Sequence, residues 1–278
     1  LHLSLRRQRQ MCIRDRDIIL KFRIDELEEC LDLIEDEISD KINHGHYKQE
    51  ESYMNLVLNC TGKSLLTLRE LILLCKNGFP DGALGLARNL FEQFIIISVF
   101  EAQCEGVDRD RMVEKYYADY NVQRYKNLKT MCRYAGQKEK MQDYENELAK
   151  LRKQFSVSKL KDYWWSGHYS FTDMCEYVIE HTDGNYKTMV INLYFAYKRA
   201  CCSLHASNFG NANRLGNCLA TIDLSPLDEG QEYALDLAIK SFIMVVAVMY
   251  RELGMDYKKS NKKLNQLATF YQSITQKE

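Results

Sequence analysis

The chain has 278 residues, a formal net charge of −1 and 46% hydrophobic residues. This length is sufficient to bury a large hydrophobic core, and a charge near zero excludes a general electrostatic attraction to nucleic-acid phosphate backbones. Only two prolines and thirteen glycines are present, which argues against a Pro/Gly-rich linker. Together with long amphipathic stretches, this composition predicts an all-α fold in one domain.

The N-terminal stretch has an unusual origin. Residues 6–16 read RRQRQMCIRDR and resemble the translation of a sequencing-library transposon adapter. We therefore interpret residues 1–16 as a scar, and we expect a missing natural N-terminus and an assembled environmental (metagenomic) genome as the source. This stretch holds five arginines and one aspartate, and without it the net charge falls to −5. Its basic character therefore gives no support to nucleic-acid binding.

From residue 17 to residue 278 we expect a single all-helical domain, a bundle of about seven or eight helices. The first two predicted helices cover 17–43 and 49–76, and Gly78 ends the second. Within the second helix, the sequence Gly62-Lys63-Ser64 lacks the further glycine and the preceding strand of a phosphate-binding loop. We expect a helical kink or break at Thr61-Gly62 instead.

The segment 80–103, PDGALGLARNLFEQFIIISVFEAQ, predicts one helix that is apolar on almost every side. Pro80 suits the first helical turn, and Asp81 complements the positive end of the helix dipole. A helix without a wide polar face belongs in the centre of a bundle. Arg88 and Glu92 share a face because they are four residues apart. We expect them to form a buried ion pair, since an unpaired buried charge is costly.

The remaining predicted helices cover 108–134, 138–155, 170–181, 186–207 and 225–253. In the first of these, Tyr116 and Tyr120 share a face. Their hydroxyls are candidate neighbours of the Arg88–Glu92 pair, and packing of their rings in the core is the alternative interpretation. The second is very polar and predicts a surface arm. Trp164 and Trp165 are expected to close one end of the core, and Ser170 to cap the helix that follows it.

A family resemblance rests on two short motifs. The segment 87–92, ARNLFE, resembles the "aRslfE" signature of the uncharacterised prokaryotic domain-of-unknown-function family 5677. The segment 203–207, SLHAS, is similar to its "S..H" element, and the tryptophan near 164 and the tyrosine-bearing helix also fit. The resemblance covers roughly residues 50–220. It implies an all-helical domain with Arg88, Glu92, Ser203 and His205 as shared polar positions, and it implies no activity.

A second motif points to a reaction. Five residues separate Arg199 from His205, a spacing similar to the Arg-x(4–6)-His motif of HEPN ribonucleases, which are helical and metal-independent. In that chemistry the histidine assists proton transfer at the ribose 2′-OH, and the arginine stabilises charge on the phosphate. On an unbroken helix the two side chains point about 120° apart, so the motif requires a break between them. Arg88 is the alternative phosphate-binding arginine, if the helix of His205 packs on the central helix.

Two functional hypotheses follow from these motifs. The first is a metal-independent endoribonuclease of the toxin or phage-defence type, acting as a dimer. His205, Arg199, Arg88 and Glu92 are its candidate catalytic residues, and its candidate substrate-binding residues are Ser203, Tyr116, Tyr120 and Asn208. The second hypothesis is a non-enzymatic helical interaction or dimerisation module. In that module the Arg88–Glu92 pair fixes the register of the bundle.

The expected partners and location are limited by composition. RNA and a second copy of the chain are the candidate partners, and DNA and membranes are not expected. The longest apolar run, Phe242–Met249, is too short to span a bilayer. His44 and His46 form an HxH pair without further ligands at metal-site spacing, so we predict neither a metal nor a cofactor. The nine cysteines outside the scar form no CxxC pair, which predicts reduced thiols in a cytoplasmic protein.

Overall fold

The computed structural model describes residues 2–44, 52–103, 107–204, 231–255 and 258–275. These residues form helices and one short 3-10 turn, Trp164–Ser166, without any strand, and the predicted all-α class is confirmed. The helices are α1 (His2–His44), α2 (Ser52–Lys76), α3 (Pro80–Gln103), α4 (Val107–Tyr134), α5 (Lys138–Gln154), α6 (Phe171–Glu180), α7 (Gly184–Leu204), α8 (Gln231–Glu252) and α9 (Lys258–Thr275).

Helices α1, α2 and α9 differ from the prediction in where they begin, in their continuity or in their presence. Helix α1 begins at His2 rather than at residue 17, because no proline or glycine interrupts residues 2–16. Helix α2 is continuous through Gly62, so the helix does not break there, because a single glycine costs a helix only about 1 kcal/mol. Helix α9 was not predicted, because its sequence is polar apart from one narrow stripe. That stripe is buried and consists of Leu264, Leu267, Ala268 and Tyr271.

The described residues divide into two compact units. The first contains residues 1–48, 57–94 and 188–278, and the second contains residues 49–56 and 95–187, as far as these are described. Helices α2, α3 and α7 contribute residues to both units. The single-domain organisation, and the interpretation of residues 1–16 as a scar, stay predictions.

The first unit has a core of long aliphatic and aromatic side chains. Its largest fully buried side chains include Leu31, Leu68, Leu90, Phe91, Phe94, Phe242 and Tyr271. The predicted central position of α3 is confirmed here, since its residues Ala83, Ala87 and Leu90 are fully buried. Helix α8 is also largely buried.

The second unit is built around the two tryptophans. Trp164 is buried with Val122, Leu148 and Phe155 between α4 and α5, and its indole Nε1 donates a 2.7 Å hydrogen bond to Asp119 Oδ1. Trp165 is also buried. Leu148 is the buried residue of the polar helix α5.

In the second unit the predicted cap of α6 is confirmed and Trp165 is buried, whereas closure of one end of the core by the tryptophans stays a prediction. The ring of Trp165 stacks on Phe100, with 5.2 Å between centroids and an interplanar angle of 11°. Ser170 caps α6, because its Oγ accepts a 3.1 Å hydrogen bond from the Asp173 backbone N–H. Asp173 Oδ2 accepts a further 3.1 Å hydrogen bond from the backbone N–H of Tyr169, the residue before the cap.

Among the described residues, α3 and α8 are long and apolar enough to cross a membrane by length and composition. The sequence did not indicate this, because its longest run without a polar residue, Phe242–Met249, is too short to span a bilayer. The most apolar 18-residue window is 50% buried inside the protein in α3 and 61% buried in α8. The core helix of a soluble protein meets the same criteria, so these helices do not decide the location of the protein.

Candidate functional site

The Arg88–Glu92 pair forms as the spacing predicts. Arg88 Nε donates a 3.1 Å hydrogen bond to Glu92 Oε1. Each side chain is 29% exposed, so the pair is half-buried and the expected full burial is wrong. The reason is that Gly85, Arg88 and Glu92 follow one another at helical spacing along a half-exposed stripe of α3. Solvent can therefore reach both charges.

A tyrosine of α7 completes this cluster. The Tyr197 hydroxyl donates a 3.2 Å hydrogen bond to Glu92 Oε1, and its ring packs on Phe91 with 5.0 Å between centroids. Burial raises the pKa of Tyr197 far above its usual value, and a hydrogen bond with Cys201 and the charge of Glu92 raise it further. The phenol therefore stays protonated and acts as a hydrogen-bond donor.

The neighbours of Arg88 keep its guanidinium group positively charged. Burial lowers the pKa of this guanidinium, but Glu92, Cys201 and Tyr197 outweigh that effect, and the net direction is upward. We define the α3–α7 cluster as Arg88, Glu92, Tyr197 and Cys201. It combines a permanent cation, a carboxylate, a phenol and a half-buried thiol, and can bind an anion by exchange of the Glu92 contact.

Sequence reasoning did not single out Tyr197. The signal that could have found it is its spacing, because residues 197, 201 and 205 are four apart. On a helix, positions four apart differ by only about 40° and form a row on one face.

Arg199 lies on another side of α7. It is exposed, and its guanidinium carbon lies 4.7 Å from the centroid of the Tyr233 ring on α8. Positions two apart on a helix differ by about 200°, which separates Arg199 from Tyr197 and Cys201. Helix α7 is continuous to Leu204, so the break that the Arg199–His205 motif requires is not found in the described part of α7.

The other predicted site residues are placed as follows. Tyr116 belongs to the second unit, where its ring packs edge-on against Trp165 with 5.0 Å between centroids. Tyr120 is 71% exposed. Ser203 lies in the last turn of α7, and its side chain is outside the described residues. His205 and Asn208 also lie outside the described residues.

The second unit contains a histidine cluster that the sequence did not indicate. His168 Nε2 and the side-chain nitrogen of Gln103 lie 2.7 Å apart. The Tyr177 ring packs against both His168 and His181, with centroid distances of 4.8 Å and 3.9 Å. Burial lowers the pKa of His168, the charge of Asp173 opposes this, and His181 adds to it. His168 is therefore mostly neutral at pH 7.

Neither cluster forms a metal site. Among the described residues, no group of three or more His, Cys, Asp or Glu side chains could hold a metal ion. The cysteines that the structure describes form no disulfide bonds.

The model of a family of unknown function, DUF5677, matches residues 54–218. The chain belongs to this family. No curated protein and no solved structure matches the chain. The predicted resemblance is thus confirmed over nearly the range that the motifs indicated, whereas the similarity to HEPN ribonucleases stays a prediction.

The DUF5677 match contains the whole α3–α7 cluster and the histidine cluster of the second unit. It also contains His205 and Asn208. The family description carries no activity, so a functional conclusion depends on the chemistry of these residues.

Proposed function

We propose that this chain is a metal-independent endoribonuclease with Arg88 as the phosphate-binding residue and His205 as the proton-transfer residue. The observation that carries the proposal is the half-exposed Arg88–Glu92 pair, in which Glu92 accepts a hydrogen bond from Tyr197 of α7. Tyr197, Cys201 and His205 are spaced four residues apart in the sequence. RNA is the proposed substrate, a second copy the proposed partner, and the cytoplasm the proposed location.

Arg88 suits the phosphate better than Arg199. Its contact with Glu92 uses Nε, and within the described residues neither terminal nitrogen of Arg88 donates a hydrogen bond to a protein group. The N–H groups of these two nitrogens can donate parallel hydrogen bonds to two phosphate oxygens, which is the preferred geometry of arginine with phosphate. Arg199 instead lies over the Tyr233 ring, on another side of α7.

The place of His205 in this proposal rests on sequence spacing. It follows Leu204, the last residue of α7, and comes four residues after Cys201. One further residue of helix would put position 205 in the row of Tyr197 and Cys201. A histidine there titrates near neutral pH and can accept and release a proton.

The proposed reaction is a transesterification. The imidazole of His205 removes the proton from the ribose 2′-OH, and the 2′ oxygen attacks the adjacent phosphorus. The bond from phosphorus to the 5′ oxygen breaks, and the leaving oxygen takes a proton from water. The hydroxide so formed takes the proton back from the His205 imidazolium, and a 2′,3′-cyclic phosphate remains. Arg88 stabilises the negative charge that develops on the phosphate oxygens.

The test incubates the purified full chain with total RNA in EDTA. We expect cleavage by the wild type and a loss of about 100-fold or more in His205→Ala, which is the usual scale for general acid–base catalysis. Arg88→Met should lose a similar factor, whereas Arg199→Ala, the matched arginine control, should keep its rate. Circular dichroism checks that each variant is folded. No cleavage by the wild type, or equal cleavage by His205→Ala, contradicts the proposal.

One observation favours the second candidate, a non-enzymatic interaction module. Arg88 and Tyr197 contact the same oxygen of Glu92, an arrangement that fixes the register of α3 against α7. This candidate predicts no RNA turnover and a self-association that light scattering detects. Glu92→Ala should then weaken association and stability together, while His205→Ala changes neither.

A further inference from the structure

Helix α4 carries a row of exposed aromatic and polar side chains along one face. The members recur at alternating intervals of three and four residues, and this spacing keeps them on one side of a helix. Each of them is exposed. We name this row the α4 stripe, and it consists of Tyr117, Tyr120, Arg124, Asn127, Met131 and Tyr134. It is about 26 Å long and belongs entirely to the second unit.

The segment that contains the α4 stripe is strongly basic. Residues 115–138 hold six lysine and arginine residues and one carboxylate, Asp119, so their formal net charge is +5. Asp119 is half-buried, and its Oδ1 accepts hydrogen bonds from Trp164 Nε1 at 2.7 Å and from Gln123 Nε2 at 3.2 Å. No exposed carboxylate within residues 115–138 therefore opposes an approaching anion, although the whole chain is close to neutral.

Two carboxylates that contact α4 are already bound by cations. Asp162 Oδ1 lies 3.4 Å from Lys126 Nζ. Glu145 of α5 accepts hydrogen bonds from Lys129 Nζ and, at 2.7 Å, from Arg152 Nη2. These last three charges together retain a net charge of +1. Neither contact occupies a cation of the α4 stripe itself.

Two exposed arginines of α4 are available to a ligand. Arg124 lies in the middle of the α4 stripe and makes no ion pair or side-chain hydrogen bond in the part of the chain that the structure describes. Arg133 likewise forms no ion pair there, and its guanidinium carbon lies 5.7 Å from the centroid of the Tyr134 ring. An arginine next to an exposed tyrosine offers parallel N–H donors for a phosphate and a flat ring for a base.

A helical protein partner suits the α4 stripe less well than a nucleic-acid strand. Alternating intervals of three and four residues are those of a coiled-coil seam, but such seams are built from leucine, isoleucine and valine. The α4 stripe contains none of these residue types. A second copy of α4 would also bring one positively charged segment against another. Tyrosine rings with neighbouring cations are instead typical of surfaces that stack the bases of single strands.

We propose that the α4 stripe binds single-stranded RNA. Bases stack on the rings of Tyr117, Tyr120 and Tyr134, and Arg124 and Arg133 bind the phosphates. The choice of RNA rests on the proposed function, for which the α4 stripe holds the substrate strand. Duplex RNA is disfavoured, because its bases are paired and stacked on one another.

The first experiment measures binding without cleavage. Its probe is a fluorescein-labelled 2′-O-methyl oligouridine of about 12 nucleotides, which lacks the 2′-hydroxyl that the proposed ribonuclease needs. Fluorescence anisotropy with the full chain should show saturable binding. An unlabelled RNA duplex of the same length and unlabelled polyglutamate should compete at least about tenfold less well than the unlabelled single strand. No saturable binding, or equal competition by the duplex or by polyglutamate, overturns the proposal.

Variants then locate the bound strand. Tyr120→Ala and Tyr134→Ala should each weaken binding at least about fivefold through loss of a stacked base, whereas Tyr120→Phe, the matched control, keeps the ring and the affinity. Arg124→Gln should lower the slope of log affinity against log salt concentration by about 0.7. Arg251→Gln, at an exposed arginine of α8, should leave that slope unchanged. Circular dichroism checks that each variant is folded.

The outcomes distinguish this proposal from the ribonuclease activity. Binding that depends on the α4 stripe, without cleavage of total RNA by the wild type, supports the binding surface and contradicts the proposed function alone. Cleavage by the wild type, with unchanged oligonucleotide affinity in Tyr120→Ala and Tyr134→Ala, overturns the binding surface alone. A wild-type dimer that dissociates in Tyr120→Ala, measured by light scattering, means that a second copy covers the α4 stripe and also overturns the proposal.

Discussion

At the scale of single residues, Glu92 is the acceptor that joins α3 to α7. Its Oε1 receives hydrogen bonds from Arg88 Nε and from the Tyr197 hydroxyl. The spacing of Arg88 and Glu92 was enough to predict their ion pair. The sequence could not indicate how much solvent reaches the pair, because the neighbouring helix sets that exposure.

The half-exposed position of the pair leads to a quantitative prediction. Arg88→Ala should lower the free energy of unfolding by only about 1 kcal/mol, because partly exposed ion pairs are weak, rather than the roughly 3–5 kcal/mol expected for a fully buried pair. Tyr197→Phe should cost about 0.5–1.5 kcal/mol through the lost hydrogen bond. Urea denaturation measures both. A loss above about 3 kcal/mol in Arg88→Ala would mean that Glu92 is left effectively buried.

At the scale of helices, residues that begin or end a helix predicted the structure better than a glycine inside a helix. Helix α3 has its predicted bounds, Pro80–Gln103, because Gly78 ends the previous helix in a left-handed conformation and Pro80 fits a first turn. Gly62, in contrast, does not break α2. Burial of an amphipathic face stabilises a helix more than one glycine destabilises it.

The cap of α6 provides a test at this scale. Ser170→Ala removes the acceptor for the Asp173 backbone N–H and should lower stability by about 0.5–2 kcal/mol. Ser170→Asp, the matched control, keeps a capping oxygen and should be nearly neutral. Thermal unfolding and amide hydrogen exchange in 171–174 measure the effect. Equal losses in the two variants would mean that packing of the serine, and not capping, matters.

At the scale of the whole molecule, buried thiols make the first unit sensitive to alkaline pH. Burial raises the pKa of Cys30 to about 11 and that of Cys60 and Cys75 to about 12. An unfolded thiol ionises near its ordinary pKa of about 8.5. Between these values the unfolded state releases a proton that the folded state keeps, so stability is present below the unfolded pKa and falls as pH rises.

We therefore expect the free energy of unfolding to fall between pH 9 and 11 by about 1.4 kcal/mol per pH unit for each such thiol. Urea denaturation at a series of pH values, under reducing conditions, measures this slope. Cys60→Ala should lower stability at pH 8 because it leaves a cavity, yet reduce the slope above pH 9. The exposed Cys202 is the control, and Cys202→Ala should leave the slope unchanged. An unaltered slope in Cys60→Ala contradicts the assignment.

The sequence by itself determined the fold class, most helix ends, the Arg88–Glu92 pair and membership of the family. The fold class, the helix ends and the ion pair depend on periodicity, caps and spacing within one segment, which local backbone geometry controls, and the family depends on sequence similarity over residues 54–218. Only the tertiary structure decided that Tyr197 contacts Glu92, that Arg199 lies over Tyr233, that the charged pair is half-exposed, and that the α4 stripe is exposed. Each of these depends on which faces of distant helices meet, and a segment's own pattern does not contain that information.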